Sequence, residues 1–160
     1  MIRKVELTDA GAIAAIYNGY ILNSVATFEI ETLTEEDMRK RISDISARFF
    51  YFVCEIDGEI AGYCYAHPWK ERAAYQWTLE TTVYVAPSHT RQGVGIGLME
   101  RLVDECRQRG YHALIACITE GNEASCKLHE RLGFKQVSCF EKVGVKFGKR
   151  LDVVDYELLL

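Results

Sequence analysis

The chain has little of what marks a membrane, metal-binding or nucleic-acid-binding protein. It contains no run of 18 apolar residues, so we expect no membrane-spanning segment. Its six cysteines show no CxxC or similarly close spacing, which predicts free thiols in a reducing cytoplasm and no metal site. The formal net charge of −4 argues against nucleic acid as a partner, because domains that bind nucleic acid carry a basic surface.

What is present is the composition of one globular domain. The 160 residues are 49% hydrophobic and 26% charged, which are ordinary values for a folded protein with a sizeable core. No linker, internal repeat or low-complexity tract interrupts the chain. We therefore predict a single domain that covers residues 1–160.

The pattern of apolar residues and chain-breaking residues predicts alternating strands and helices. We expect strands over 2–7, 49–56, 59–67, 75–86, 112–119, 133–145 and 150–160. Helices are expected from a cap at Thr8-Asp9 to Asn23, from a capping box at Thr34, after a glycine turn near 93–97, and from Asn122. This order predicts an α/β fold with a mixed sheet, helices on both faces, and a site where the strands around the glycine turn diverge.

The most informative stretch runs from Val83 to Met99. A strand rich in β-branched residues leads through a proline-bounded turn to Gly93, Gly95 and Gly97, and a helix follows. Glycines at a helix start leave backbone N–H groups open to phosphate oxygens. A Walker loop fails because Ile96-Gly97-Leu98 stands where Lys and Ser or Thr are needed, and a Rossmann turn lacks its acidic residue. A coenzyme A pyrophosphate turn is favoured over a purely structural glycine turn.

Two signatures resemble the GNAT superfamily of acetyl-CoA-dependent N-acetyltransferases. Gln92-Gly93-Val94-Gly95-Ile96-Gly97 is similar to its turn pattern Gln/Arg-x-x-Gly-x-Gly/Ala, and Asn122 to Phe134 is similar to its second signature helix. Arg72-Ala73-Ala74-Tyr75, Thr78 to Val85 and Val143 to Gly148 resemble the phosphinothricin acetyltransferase branch, so the likeness covers nearly the whole chain. It implies the GNAT fold, with a mostly antiparallel mixed sheet, and a homodimer.

The resemblance implies that acetyl-CoA is the co-substrate and that no metal is required. Its site would be formed by the strand, the glycine turn and the Asn122 helix. The residues concerned are Val83, Tyr84, Val85, Arg91, Gln92, Gly93, Val94, Gly95, Ile96, Gly97, Asn122 and Ser125.

Acyl transfer to an amine needs a base for the ammonium, a donor for the thioester carbonyl and a proton for the departing sulfur. The resemblance assigns these roles to Glu80, to the backbone N–H of Val85 and to His129. Each has a plainer alternative. Glu80 could face solvent or pair with Arg72, and His129 could be a packing residue that shares a helix face with Ser125.

Acceptor recognition is expected from residues on separate segments of the chain. Arg72 can bind a carboxylate or phosphinate in bidentate fashion, or be a solvated turn residue, and Tyr75 adds a polar tip. Phe28 and Glu29 in the loop 24–33 would wall the pocket and meet the ammonium. Thr82, beside Glu80, stands where the branch often has Ser, and Arg150 stands where it usually has Trp.

The resemblance therefore implies an N-acetyltransferase for the α-amine of a small amino-acid-like substrate, of the phosphinothricin, methionine sulfoximine or methionine sulfone type. Two alternatives stay open. One is acetylation of another amine, such as a polyamine, an aminoglycoside or a protein N-terminus. The other is a non-catalytic CoA-binding sensor, which would have no use for Glu80.

Overall fold

A computed structural model describes all 160 residues and places a seven-stranded sheet between two pairs of helices. The strands are β1 (Ile2–Lys4), β2 (Tyr51–Ile56), β3 (Glu59–Pro68), β4 (Thr78–Val85), β5 (Ala113–Thr119), β6 (Lys135–Lys146) and β7 (Lys149–Leu159). The helices are α1 (Ala10–Asn23), α2 (Glu35–Ser46), α3 (Val94–Gln108) and α4 (Glu123–Arg131). The spatial order of the strands is β1-β2-β3-β4-β5-β7-β6. All neighbours are antiparallel except β4 and β5, which confirms the predicted mixed sheet.

Alternation along the central strands gives the sheet two buried faces. In β2, Tyr51 and Val53 pack with α1 and α2, whereas Phe52 lies in the cluster that holds α3. Cys64 of β3 faces the same way as Phe52, and its thiol donates to the carbonyl of Leu98 in α3 at 3.4 Å. Because successive side chains of a strand point to opposite faces, this pattern places helices on both sides of the sheet, as predicted.

The sheet splits at the single parallel pair. β4 pairs with β5 only from Thr78 to Glu80, and the rest of β4 runs free of β5. The second half of β5 continues its pairing with β7 up to Thr119. A wedge therefore opens between the two strands beyond Glu80, at the place where the sequence predicted a site.

Several predicted boundaries were wrong at the ends. β1 stops at Lys4, because Leu7–Asp9 forms a 3-10 turn whose Asp9 carboxylate accepts from the Glu6 N–H at 2.8 Å and pairs with Arg3. Asp9 therefore caps that turn and makes no side-chain cap on α1. β4 begins at Thr78 rather than at residue 75, since residues 73–75 form another 3-10 turn.

The cap of α2 and the state of the cysteines agree with expectation. Thr34 and Asp37 form the predicted capping box of α2. All six cysteines are free thiols. None of the four helices combines the length and the apolar character needed to cross a bilayer. No group of three His, Cys, Asp or Glu side chains converges in a way that would hold a metal ion.

Candidate functional site

A cavity of about 610 Å³ lies in the wedge, between the free part of β4 and the starts of α3 and α4. Its volume lies in the range of pockets that bind small ligands and cofactors. The residues predicted to bind the cofactor that line this cavity are Val83, Tyr84, Val85, Arg91, Gly93, Val94, Gly95, Ile96, Asn122 and Ser125. We call it the cofactor cleft.

The start of α3 presents unpaired backbone donors to this cleft. Gly93 caps the helix with φ +80°, a left-handed conformation that glycine adopts without steric cost. The first internal bond runs from the Gly97 N–H to the Gly93 carbonyl at 3.0 Å, so the amides of Val94, Gly95 and Ile96 have no carbonyl partner within the helix. No side chain caps them and no acidic residue lies in the first turn. Such a helix start is an anion-binding site.

Basic side chains add positive charge to the same cleft. Arg91 lies in the turn before α3, and Lys127 and Arg131 lie one turn apart on α4. No acidic side chain lines this cavity, although the whole chain has a net charge of −4. The local charge therefore suits a phosphorylated ligand such as coenzyme A.

The free edge of β4 offers the backbone groups that acyl transfer needs. Tyr20 of α1 donates its hydroxyl to the Val85 carbonyl at 2.7 Å, while Ala86 N–H bonds to β3. The N–H and C=O of one strand residue point to the same edge, so the Val85 amide, like that of Val83 two residues earlier, faces away from β3 and into the wedge.

A second cavity of about 340 Å³ adjoins the first and contains the predicted catalytic side chains. Glu80, Thr82, His129 and Phe28 line it. Both cavities share Ala26, Val83, Tyr84, Asn122 and Ser125, so they meet at the middle of β4. We call this second cavity the acceptor pocket, and the loop 24–33 that supplies Ala26, Thr27 and Phe28 the acceptor loop.

Glu80 faces a histidine across the strand pair. Glu80 and His67 are partners in the β3–β4 ladder, and their Oε1 and Nε2 atoms are 3.9 Å apart. From β5, Cys117 lines the same pocket, where desolvation and the nearby charges of Glu80 and Asp155 raise the pKa of its thiol. No Lys or Arg lines the acceptor pocket. Glu80 is therefore a carboxylate that a cationic amine can approach without a competing fixed cation.

His129 is buried at the base of α4 and packs edge-on against Phe134. Its Nδ1 lies 2.7 Å from the Ser125 carbonyl, which can only accept, so Nδ1 carries the proton. Burial lowers the pKa of His129 below its usual value. In this geometry the imidazole is neutral near pH 7, with the Nε2 lone pair free.

The structure does not bring three predicted acceptor-binding residues to the pocket. Glu29 is bound by Arg41, with one contact at 2.8 Å and a second, shorter one, and the Arg41 guanidinium lowers the pKa of the Glu29 carboxyl. Arg72 is exposed at the start of the 3-10 turn 73–75, and Tyr75 packs edge-on against Trp69. None of the three lines either cavity.

Gln92 and Gly97 of the glycine motif make local contacts outside the cleft. Gln92 donates to the Ser88 carbonyl at 3.1 Å and Gly97 lies behind the cleft, where a Cβ would come within 3.4 Å of Ile2. Neither lines the cleft. Gly95 lines it, but a Cβ there would also lie 2.9 Å from the Leu128 side chain, so this glycine permits close packing of α3 on α4 as well as approach of a ligand.

Sequence reasoning missed several lining residues. Tyr17, Tyr65 and His67 reach the acceptor pocket from α1 and β3, far from the motifs in sequence. Only the pairing of β3 with β4 could have indicated His67. The basic pair Lys127 and Arg131 was detectable, because residues at i and i+4 share one face of the helix that Asn122 caps.

Comparison with known proteins agrees with this geometry. Residues 13–134 match the sequence profile described as Acetyltransferase (GNAT) family. The phosphinothricin N-acetyltransferase of Streptomyces viridochromogenes is 36% identical over 95% of this chain and 83% of its own. The L-methionine sulfoximine/L-methionine sulfone acetyltransferase of Salmonella typhimurium is 36% identical over 99% and 94%.

A solved structure shows the same fold with the cofactor present. The GNAT phosphinothricin acetyltransferase of Sinorhizobium meliloti in complex with AcCoA superposes with a TM-score of 0.97, at 31% identity over 100% of this chain and 88% of that one. The resemblance seen in the sequence is thereby confirmed for family, fold and cofactor. The chain belongs to the GNAT acetyltransferase family and is an acetyl-CoA-dependent N-acetyltransferase.

Proposed function

We propose that the chain acetylates the α-amine of a small amino-acid-like acceptor that enters the pocket beside Glu80. The observation that carries this proposal is the placement of a partly exposed carboxylate in a pocket that opens onto the cofactor cleft. Relatives named for phosphinothricin and for methionine sulfoximine or sulfone support an acceptor of this class.

Glu80 is the base in this proposal. An α-ammonium is mostly protonated near neutral pH, and only the free amine has a lone pair to attack a thioester. Glu80 can take that proton, and His67 at 3.9 Å offers a second titratable group beside it. The alternative pairing of Glu80 with Arg72 has no support, because the two side chains form no ion pair.

The backbone of β4 polarises the thioester carbonyl. The Val83 and Val85 amides on the free edge are fixed by the β3–β4 ladder, so they require no rearrangement during the reaction. The hydroxyl of Tyr20 donates a hydrogen bond to the Val85 carbonyl oxygen, which would otherwise repel the thioester carbonyl oxygen at the same edge.

His129 acts through a hydrogen bond in this proposal rather than as an acid. With Nδ1–H bound to Ser125 and with its pKa lowered by burial, the ring has no proton to give at neutral pH. The departing thiolate takes the proton that the attacking nitrogen loses on becoming an amide, and the free Nε2 of His129 can then accept a hydrogen bond from the resulting thiol. Of the two roles considered from the sequence, the hydrogen bond to sulfur is therefore favoured.

Phe28 and Thr82 form walls of the acceptor pocket, and Arg72 is the candidate partner of the acid group. Arg72 does not line the pocket, so this contact requires the turn 73–75 to move when the acceptor binds. His67 is the other candidate partner of the acid group, since it lines the pocket.

A thiol-release assay with acetyl-CoA and a panel of amines tests the function. We expect turnover with phosphinothricin, methionine sulfoximine or methionine sulfone, and little with a polyamine, an aminoglycoside or a peptide N-terminus. Turnover of the second group alone would show that the acceptor is another kind of amine and not a small amino acid. Acetyl-CoA binding without turnover of any amine would indicate a sensor.

The assembly and compartment are part of the same proposal. The edge strand β6 exposes four apolar side chains, which a second copy could cover to form a homodimer: Val137, Phe140, Val143 and Val145. Light scattering at micromolar concentration should give twice the mass of one chain, and Phe140→Lys should reduce it. Six free thiols fit a reducing cytoplasm.

A further inference from the structure

Lys146, the last residue of β6, is a buried lysine that reaches into the acceptor loop. Only 4% of the residue is exposed. Its Nζ donates to the carbonyls of Ser24 and Thr27, at 2.7 Å each. These partners lie 122 and 119 positions earlier in the chain, so the contact ties the end of the β6–β7 hairpin to the acceptor loop.

The Lys146 ammonium has no counter-ion. Desolvation lowers its pKa, and no acidic side chain offsets that effect. A buried charge without an ion pair is costly, and an apolar side chain at such a place is often equally good or better for stability alone. What an apolar side chain cannot do is hold two carbonyls at once, so the two hydrogen bonds are the property that requires lysine here.

The same face of β6 makes room for the side chain that the loop carries. Gly144, two residues before Lys146, lies against Phe28, and a Cβ at this glycine would overlap the Phe28 ring carbons. Phe28 in turn lines the acceptor pocket. Gly144 does not have a left-handed backbone, so the requirement at this position is space rather than conformation.

The hairpin turn sets the direction of the lysine. Lys146 pairs with Lys149, and Phe147 and Gly148 between them both have positive φ, 51° and 69°. This is the geometry of a tight two-residue turn that fits the twist of the strands. It directs Lys146 inward and leaves Phe147 and Lys149 exposed.

We propose that Lys146 is a positioning residue that holds the acceptor loop by the Ser24 and Thr27 carbonyls, so that the Phe28 ring, seated on Gly144, forms a wall of the acceptor pocket. This inference rests on the proposed function, because it takes the cavity beside Glu80 as the place where the amine binds. The β6–β7 hairpin thereby sets the shape of a pocket to which it contributes little lining of its own.

The first test is Lys146→Met, which keeps length and removes the donors, with Lys149→Met as the matched control on the exposed side of the turn. We expect KM for the amine to rise roughly tenfold in Lys146→Met, corresponding to about 1.4 kcal/mol, with the calorimetric Kd for acetyl-CoA within about twofold. Lys149→Met should match the wild type. An unchanged KM, or an equal loss of affinity for both substrates, overturns the proposal.

The second test does not depend on Lys146→Met folding. Gly144→Ala should push the Phe28 ring toward the pocket and raise KM, most strongly for the bulkiest acceptor in the panel. In a Phe28→Ala background the same Gly144→Ala change should have no effect on KM. A Gly144→Ala effect that persists without the Phe28 ring would show that the glycine acts elsewhere.

A third measurement is independent of turnover. Amide hydrogen exchange over residues 24–33 should be at least roughly tenfold faster in Lys146→Met than in Lys149→Met, because the loop has lost its anchor. Equal exchange in the two variants refutes the anchor even if activity changes. If the anchor is found but the wild type acetylates no amine, the proposed function fails and the anchoring stands.

Discussion

The cofactor cleft and the acceptor pocket share the middle of β4 but differ in the groups that form them. The cleft is made largely from one stretch of chain, with backbone amides at the start of α3 and the free edge of β4. The acceptor pocket is made from side chains of α1, the acceptor loop, β3, β4, β5, α4 and β7. A ligand common to a whole family needs only the first kind of site, whereas selection among amines needs the second.

This difference determines how each site responds to change. Backbone donors survive most substitutions, because the strand and the helix start keep their geometry whatever side chains they carry. Side chains assembled from seven segments depend on each segment's position, as the contacts of Lys146 with Ser24 and Thr27 illustrate. Substitutions around the acceptor pocket should therefore change amine kinetics and leave acetyl-CoA binding intact, and those around the cleft should change acetyl-CoA binding.

Glu80→Gln should give the largest separation of the two sites. It keeps shape and removes the base, so kcat/KM for the amine near neutral pH should fall by about 10²–10⁴. The acetyl-CoA Kd should hardly change. The deficit should shrink as pH rises, since solution then supplies the free amine.

Glu59→Gln, at the exposed start of β3, is the matched control and should behave as wild type. Steady-state rates and calorimetry on both variants make the comparison. A Glu80→Gln enzyme with nearly normal rates at neutral pH would reduce Glu80 to a positioning residue.

Arg72→Ala should have the next largest effect, confined to acceptors with an acid group. Loss of a charged hydrogen bond costs about 1.5–3 kcal/mol, so kcat/KM should fall by roughly one to two orders of magnitude for such acceptors. A matched amine without the acid group should lose much less. Because Arg72 lies outside the pocket without substrate, no effect on either amine would leave His67 as the group that meets the acid.

The cofactor cleft and the acceptor pocket also differ in how much of each can be predicted from the sequence. Gly93, Gly95 and Asn122 were identifiable because short-range backbone geometry selects their residue types within a few positions. The mixed sheet and the place of the wedge followed from alternating elements and the glycine turn. The His67 pairing with Glu80 was not predictable from local pattern, since it depends on strand register.

The acceptor loop shows the same limit from the other side. Phe28, expected to wall the pocket, lines the cavity beside Glu80, whereas Glu29 next to it turns toward Arg41 and Tyr17. In an irregular loop the direction of a side chain depends on its long-range partners, and those partners lie on α1 and α2. No periodicity in residues 24–33 carries that information.

Arg131→Ala should have a smaller effect, and one on the cofactor side only. Arg131 is exposed and lines the cleft, so its contribution to binding a phosphorylated ligand is screened by solvent. We expect the acetyl-CoA Kd to rise by about fivefold, or about 1 kcal/mol, and to depend less steeply on salt. Arg107→Ala, at the far end of α3, is the control and should leave Kd unchanged. An Arg131→Ala effect on amine KM alone would contradict the division between the sites.

His129→Asn should give the smallest change in rate, because it removes only one hydrogen bond to the sulfur, and a clearer change in stability. Asn places its amide near the Nδ1 position and can still donate to the Ser125 carbonyl, but it does not titrate. Because burial lowers the pKa of His129 in the folded state, the unfolded chain binds more protons than the folded one below its unfolded pKa of about 6.5. The contribution of the neutral ring is therefore complete above that pH and is lost as pH falls toward the folded pKa. The urea midpoint of the wild type should drop between about pH 7.5 and about pH 5.5, and His129→Asn should drop less over the same interval. Parallel pH profiles of the urea midpoint for the two proteins would mean that His129 binds its proton equally well in the folded and unfolded states. His129 would then again be a candidate acid at the place where the cofactor cleft and the acceptor pocket meet.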